Sequence, residues 1–216
     1  MDPFRFTVAI VPLAVYLLTM GLLNLRPFPF VTTGARDIGT LGIGIVGLVI
    51  IGPLELFFPE AAAIRFGAYV WILLIVFYGL CVSLVVLLMR PRIVIYNTTI
   101  DQVRPLLTDI AKKMDTKSRW TSDSMIIPNR KIHFHLEAVD WLGNVQIIST
   151  GNRQSFEGWR ELETSLREAT RTTRVPPGVI GVILVTVAGL LALTSASWMV
   201  MDQTTVAEAF REFIRF

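Results

Sequence analysis

The side chains best suited to chemistry are two histidines and a glutamate that alternate along one short stretch. His133, His135 and Glu137 are spaced by two residues, and the chain contains no other histidine. In a β-strand, this spacing puts all three side chains on one face, about 7 Å apart in successive steps. Two imidazoles and a carboxylate are ligands that Zn²⁺ accepts. The solvated face of an amphipathic strand shows the same alternation, so we assign no metal ligand here.

The remaining reactive residues form no catalytic pattern. Cys81 is the single cysteine and lies in an apolar run, which excludes an intramolecular disulfide and makes it a poor nucleophile. No glycine-rich phosphate loop precedes a helix, and no G-x-S-x-G motif occurs. Glu55 also lies in an apolar run, where a carboxylate is a candidate proton or cation site. It is near enough to the end of that run to reach the headgroups. These patterns favour a non-enzymatic protein with no catalytic residue and no cofactor.

The composition is that of a membrane protein. Hydrophobic residues make up 53% of the 216 residues and charged residues 17%, which is unusual for a soluble chain. About 20 apolar residues cross a bilayer as a helix. Four runs meet this length with Glu55 as their one charge: residues 7–25, 38–58, 66–89 and 178–201. No small-residue cleavage site follows the first run, so we interpret it as a retained anchor.

The long polar segment, residues 90–174, predicts a small α+β domain. It contains 14 of the 20 Lys and Arg residues and 10 of the 17 Asp and Glu residues. Apolar periodicity predicts the order β-α-β-β-β-α, with a four-stranded, mainly antiparallel sheet and both helices on one face. The predicted strands are residues 92–96, 124–128, 131–139 and 145–150, and the predicted helices are residues 100–114 and 155–171.

The chain therefore divides into four predicted parts. Three spans occupy residues 1–89, the α+β domain 90–174, the fourth span 175–201 and an amphipathic C-terminal helix 202–216. Two capping boxes are predicted, Thr99 with Gln102 and Thr205 with Glu208. Glycines in the second run, with a kink at Gly52-Pro53, indicate close helix packing. In the fourth run, a stripe of alanines predicts packing on another helix of this chain or of a copy: Ala188, Ala192 and Ala196.

The arginine distribution predicts the orientation. Near the spans, nine arginines lie on the side of the polar segment and four on the other side. The positive-inside rule then places residues 90–174 in the cytoplasm and both termini outside, in a plasma membrane or bacterial inner membrane.

The function that these features predict is that of a membrane anchor, scaffold or complex subunit. Besides the lipid bilayer, the expected partner is a protein or a second copy, bound through the spans and the helix-free sheet face. That face carries His133, His135, Glu137 and Gln146 and is predicted to meet either a partner or the membrane. The basic excess is mild, so nucleic acid is not expected as a partner. One alternative is an oligomeric transporter or channel with Glu55 near its mouth. A second alternative is a metal-dependent membrane enzyme.

Overall fold

The computed structural model describes residues 2–56, 59, 64–67, 69–139, 142–151 and 154–214, and for residues 211–214 it describes the backbone alone. The chain forms two compact units. The helical unit contains Met1–Met20, Ile38–Leu88 and Ile183–Phe216. The sheet unit contains Gly21–Asp37 and Met89–Val182. A short connector near the N-terminus therefore belongs to the same unit as the polar segment.

The helices are α1 Pro3–Asn24, α2 Gly34–Val49, α3 Tyr69–Leu88, α4 Ile100–Met114, α5 Phe156–Thr170, α6 Val179–Met201 and α7 Gln203–Ile214. The strands are β1 Phe30–Thr33, β2 Arg92–Tyr96, β3 Arg119–Thr121, β4 Ser124–Ile127, β5 Ile132–Val139 and β6 Asn144–Ser149. A π-helical turn, Ile50–Leu54, continues α2, and a 3₁₀ turn, Pro128–Arg130, precedes β5.

Within the described residues, four helices are long and apolar enough to cross a membrane, as predicted. They are Pro3–Asn24, Gly34–Leu54, Tyr69–Leu88 and Val179–Met201. The second departs from α-helical hydrogen bonding at Ile50–Leu54, which contains the Gly52-Pro53 pair where the sequence predicts a kink. The predicted end of this span, residues 57 and 58, lies outside the described residues.

Glycines of α2 let neighbouring helices of the helical unit approach closely. A Cβ atom on Gly47 would lie 2.0 Å from the backbone oxygen of Val8 in α1. A Cβ atom on Gly44 would lie 2.6 Å from the Cβ of Tyr16. The Tyr78 hydroxyl in α3 donates a hydrogen bond of 2.7 Å to a backbone carbonyl of α2. In lipid, the hydrophobic effect contributes little to helix association, and close packing contributes more. Small residues at the contact allow this close packing.

The alanine stripe predicted in α6 is only partly buried in this chain. Ala188 is buried, but Ala192 and Ala196 are exposed. Gly181 and Ser195, seven residues before and after Ala188, are also buried, and the Ser195 hydroxyl lies 2.8 Å from that of Thr7 in α1. Seven residues make about two helical turns, so this spacing keeps one face towards α1.

The C-terminal helix begins two residues earlier than its predicted cap. Helix α7 starts at Gln203, and the Asp202 carboxylate accepts a hydrogen bond of 3.4 Å from the backbone N–H of Thr205. Asp202 therefore takes the position that the sequence assigns to Thr205, and that predicted capping box is wrong. The ring of Phe210 meets that of Phe4 edge-on at 5.6 Å.

The predicted four-stranded sheet is wrong, because the sheet has six strands in the order β1-β2-β6-β5-β4-β3. Every neighbouring pair is antiparallel. Strand β1 comes from the connector between α1 and α2, outside the segment that the sequence assigns to the domain. Strand β3 forms a tight hairpin with β4 through Ser122 and Asp123. The four predicted strands are present as β2, β4, β5 and β6.

Helices α4 and α5 both pack on one face of this sheet. Val103 and Leu107 of α4 and Leu162 and Leu166 of α5 join one buried apolar cluster. From the sheet, one face supplies the cluster: Val31, Ile93, Ile95, Met125, Ile127, Ile132, Phe134, Val145 and Ile147. The predicted capping box of Thr99 and Gln102 is present at the start of α4. Trp159 is part of the cluster and Trp120 packs against it, whereas Trp141 lies outside the described residues.

Gly47→Ala is expected to destabilise the helical unit, whereas Gly39→Ala is not. The added methyl group of the first variant meets the Val8 carbonyl, so the helices must separate; around Gly39 a Cβ meets nothing within 4 Å. Overpacking of this kind costs about 1–3 kcal/mol. Thermal unfolding of both variants in mild detergent measures the difference, and equal stability of the two would contradict the close contact.

Candidate binding surface of the sheet unit

Strand β5 has the alternation that the sequence predicts. Ile132 and Phe134 are fully buried towards the helices, whereas His133 and Glu137 are exposed on the opposite face. His135 lies on that same face and is half-buried. The strand therefore presents two imidazoles and a carboxylate on the helix-free face.

The three side chains are not gathered into a metal site. The Nδ1 atom of His135 lies 3.0 Å from the hydroxyl of Thr150, so a neighbouring residue already engages one of its ring nitrogens. In the part of the chain that the structure describes, no three His, Cys, Asp or Glu side chains lie close enough together to hold a metal ion. What β5 offers is a row of separate polar groups, suited to hydrogen bonding with a partner.

Gln154 anchors this face to the start of α5, and no pattern in the sequence indicates this role. Its Oε1 accepts hydrogen bonds from the backbone N–H of His133 at 3.1 Å and from the Trp159 indole at 2.9 Å. Its Nε2 donates to the carbonyls of His133 at 2.9 Å and Thr150 at 2.6 Å. Because both ends of the amide are occupied, Gln154 holds β5 in place.

An open cleft of about 700 Å³ lies beside His133 and is lined by Pro128, Lys131, His133 and Gln154. Lys131 adopts a left-handed backbone conformation with φ of +51°, which is uncommon for a residue with a side chain. Its carbonyl accepts a hydrogen bond of 3.2 Å from Ser155. We name the exposed residues Lys131, His133 and Glu137 the β5 surface. It combines a cation, an imidazole and a carboxylate.

Asp115 organises the turn that leads into the β5 surface. Its carboxylate accepts hydrogen bonds of 2.9 Å from the backbone N–H groups of Asn129 and Lys117, and another of 2.9 Å from the Asn129 side chain. The hydrogen bond from the Asn129 backbone lowers the pKa of Asp115 most, and that from Lys117 adds to it. Burial opposes this shift but does not reverse it. The ionised carboxylate thus holds Pro128–Arg130 in position.

The other half of the helix-free face is buried. Val94 and Tyr96 of β2 have almost no exposure, and Gln146 of β6 is also buried. The sequence predicts that this whole face is open, and for these strands that prediction is wrong. The Tyr96 hydroxyl donates to the Asp37 carboxylate in the first turn of α2. A large part of this face is therefore buried, so the sheet has buried side chains on both of its faces.

An arginine completes that interior. Arg92 donates a hydrogen bond of 3.0 Å to Oε1 of Gln146 and lies 3.9 Å from the carboxylate of Asp37. Its Nε is buried without a hydrogen-bond partner. The sequence shows Arg92 as one more basic residue near a span, but here it joins the start of α2 to two strands. The exposed side chains of the face thus lie on β3 and β5 and at Lys131 before β5.

Glu55, the candidate transport residue, is paired within the helical unit. Its Oε1 lies 2.8 Å from the Arg5 guanidinium, and Arg5 also contacts Asp2 at 3.3 Å. Both Glu55 and Arg5 are partly exposed, at 26% and 37% of their side-chain surface. A carboxylate held by an arginine has a role in joining the ends of two helices.

We expect Asp115→Asn to destabilise the sheet unit at neutral pH and to change its response to acid. The folded pKa of Asp115 is lower than its ordinary value of 3.8, so its ionised form stabilises the fold above that pH. This contribution is lost as the pH falls below about 4 and through the lower folded pKa. Thermal unfolding from pH 7 to pH 3 should show the gap between wild type and variant narrowing with acid. A gap that is constant with pH would contradict the assignment.

Comparison with known proteins gives no relative for this arrangement: no family model, no curated protein and no solved structure matches the chain.

Proposed function

We propose that the protein is a non-enzymatic membrane anchor or complex subunit whose sheet unit binds a protein partner through the β5 surface. The chain carries four helices fit to cross a membrane, and the longer segment of the sheet unit lies between the third and fourth of them in sequence. The observation that supports the proposal best is the division of the helix-free face. One half is buried around Arg92 and Tyr96, while β5 leaves Lys131, His133 and Glu137 exposed.

The backbone of this exposed region is well restrained, which suits a recognition surface. Asp115 holds the turn before β5, and Gln154 holds the strand from its other side. A rigid surface loses little conformational entropy when it binds, so more of the contact free energy appears as affinity. The sheet unit also includes the last residues of α1 and the first residues of α2 and α6.

Photocrosslinking in native membranes tests the proposed surface. A photoreactive amino acid at His133 or Glu137 is expected to give discrete crosslinked species. The same amino acid at Glu168 should not, because Glu168 is exposed on α5, away from the helix-free face. The mass of the product identifies the occupant, since a second copy adds 24.2 kDa.

Two results would reject the β5 surface as the binding site. One is the absence of any crosslink from His133 and Glu137 in membranes that contain the intact protein. The other is an identical set of products from Glu168, which indicates random collision.

For the orientation, we propose that the sheet unit lies in the cytoplasm and that both termini lie outside. The support is the arginine count, nine near the spans on the sheet side against four on the other. Short connectors near the spans dominate this rule, and Arg26 and Arg36 lie in the short connector that leads from α1 into α2.

Cysteine labelling in sealed cells tests this orientation. After Cys81 is replaced by alanine, single cysteines are placed at Thr116 and Thr204, both of which are exposed. An impermeant maleimide should label the cysteine at position 204 in intact cells and the one at position 116 only after permeabilisation. The reverse pattern would overturn the orientation while leaving the four spans unaffected.

A further inference from the structure

A second cleft in the sheet unit collects four arginines from two separate stretches of the chain. Arg26 and Arg36 come from the connector and from the start of α2, whereas Arg167 and Arg171 come from the end of α5. The cleft has a volume of about 590 Å³, and its described lining contains no acidic residue. We call these four residues the arginine cleft.

The dipole of α5 accounts for only two of the four arginines in the cleft. Cations at the C-terminal end of a helix are favourable, which accounts for Arg167 and Arg171 on α5. Arg26 and Arg36 lie outside that helix, so their approach adds like charge to like charge. Arg167 is paired with Glu163 at 2.6 Å. Among the described residues, no ion pair engages Arg26 or Arg171. An anion in the cleft would relieve this repulsion.

The lining of the cleft also has an apolar part, which consists of Phe28, Pro29, Phe30 and Val31. The Arg26 guanidinium lies over the Phe30 ring, 5.9 Å from its centroid. A ligand that suits the cleft therefore carries a negative group next to a non-polar part. A phospholipid has this character, with its phosphate beside the glycerol backbone and acyl chains.

The positions of Arg26 and Arg36 in the chain indicate their depth relative to the bilayer. Arg26 follows the end of α1 by two residues, and Arg36 lies in the first turn of α2. Both helices have about the length that crosses a hydrocarbon core, so residues at their ends lie at the level of the headgroups. Basic residues at that level attract anionic lipids.

We propose that the arginine cleft binds the headgroup of one anionic phospholipid. Guanidinium groups form paired hydrogen bonds to phosphate oxygens, which gives both attraction and orientation. A free phosphate compound offers the same charge, but it leaves the apolar lining of Phe28 and Phe30 without a contact. The proposal is independent of the protein partner, because the β5 surface contributes no residue to this cleft.

The test measures lipid binding to the full chain in mild non-ionic detergent. Phosphatidylglycerol is expected to raise the melting temperature and to remain bound as one molecule in native mass spectrometry; phosphatidylcholine should do neither. A double variant, Arg26→Gln with Arg171→Gln, should lower the apparent affinity for phosphatidylglycerol by about tenfold or more. Both residues are exposed, and the variant without lipid should melt like the wild type.

A charge-matched control separates the cleft from general attraction. Arg119→Gln with Arg160→Gln removes two exposed arginines elsewhere in the sheet unit and should leave binding unchanged. Equal loss in both double variants would overturn the proposal in favour of diffuse charge. An equal melting shift with phosphatidylcholine would also overturn it. If glycerol phosphate gives the same shift at the same concentration, the cleft binds a soluble phosphate compound and the lipid assignment is wrong.

Discussion

The sheet unit depends on the pairing of β1 with β2. Phe30–Thr33 lies between two helices that are long enough to span a membrane, and its backbone finds hydrogen-bond partners along Arg92–Tyr96. This pairing places β2 inside the sheet, with β6 on its other side. A strand with neighbours on both edges has no free backbone groups, and both of its faces can be covered. Val94 and Ile95 accordingly have no exposed surface.

This arrangement gives the two faces of the sheet different roles. The face towards α4 and α5 is a continuous apolar core. The opposite face is buried around Arg92 and Tyr96 and is open along β5, where polar groups alternate. The partial burial of Arg92 would be unfavourable without Asp37 and Gln146, and these partners come from α2 and β6. Asp37 and Gln146, which complete the buried half of this face, thus come from other segments of the chain than the exposed residues of the β5 surface.

Sequence periodicity predicted the elements that have enough residues to show a period. Strand β5 alternates over eight residues, and α4 and α5 show apolar spacing over four turns, so all three are found where predicted. Strands β1 and β3 have four and three residues and mix apolar with polar side chains, so they lack the short apolar run from which β2 and β4 were predicted. Local periodicity also cannot indicate the arginine cleft or the role of Gln154, because both depend on contacts between separate segments of the chain. The face on which His133, His135 and Glu137 lie was predictable, because the alternation within β5 alone determines it.

The separation of β1 from β2 in the chain has a consequence for biogenesis. The first strand leaves the ribosome soon after α1, but α2 and α3 must both be synthesised before its partner emerges. Until then, the growing chain carries an unpaired strand next to a membrane, and closure of so long a loop has an entropic cost. In the topology proposed above, α2 and α3 cross the bilayer twice and return the chain to the side of β1. Under that topology, insertion of these two helices precedes the pairing of β1 with β2.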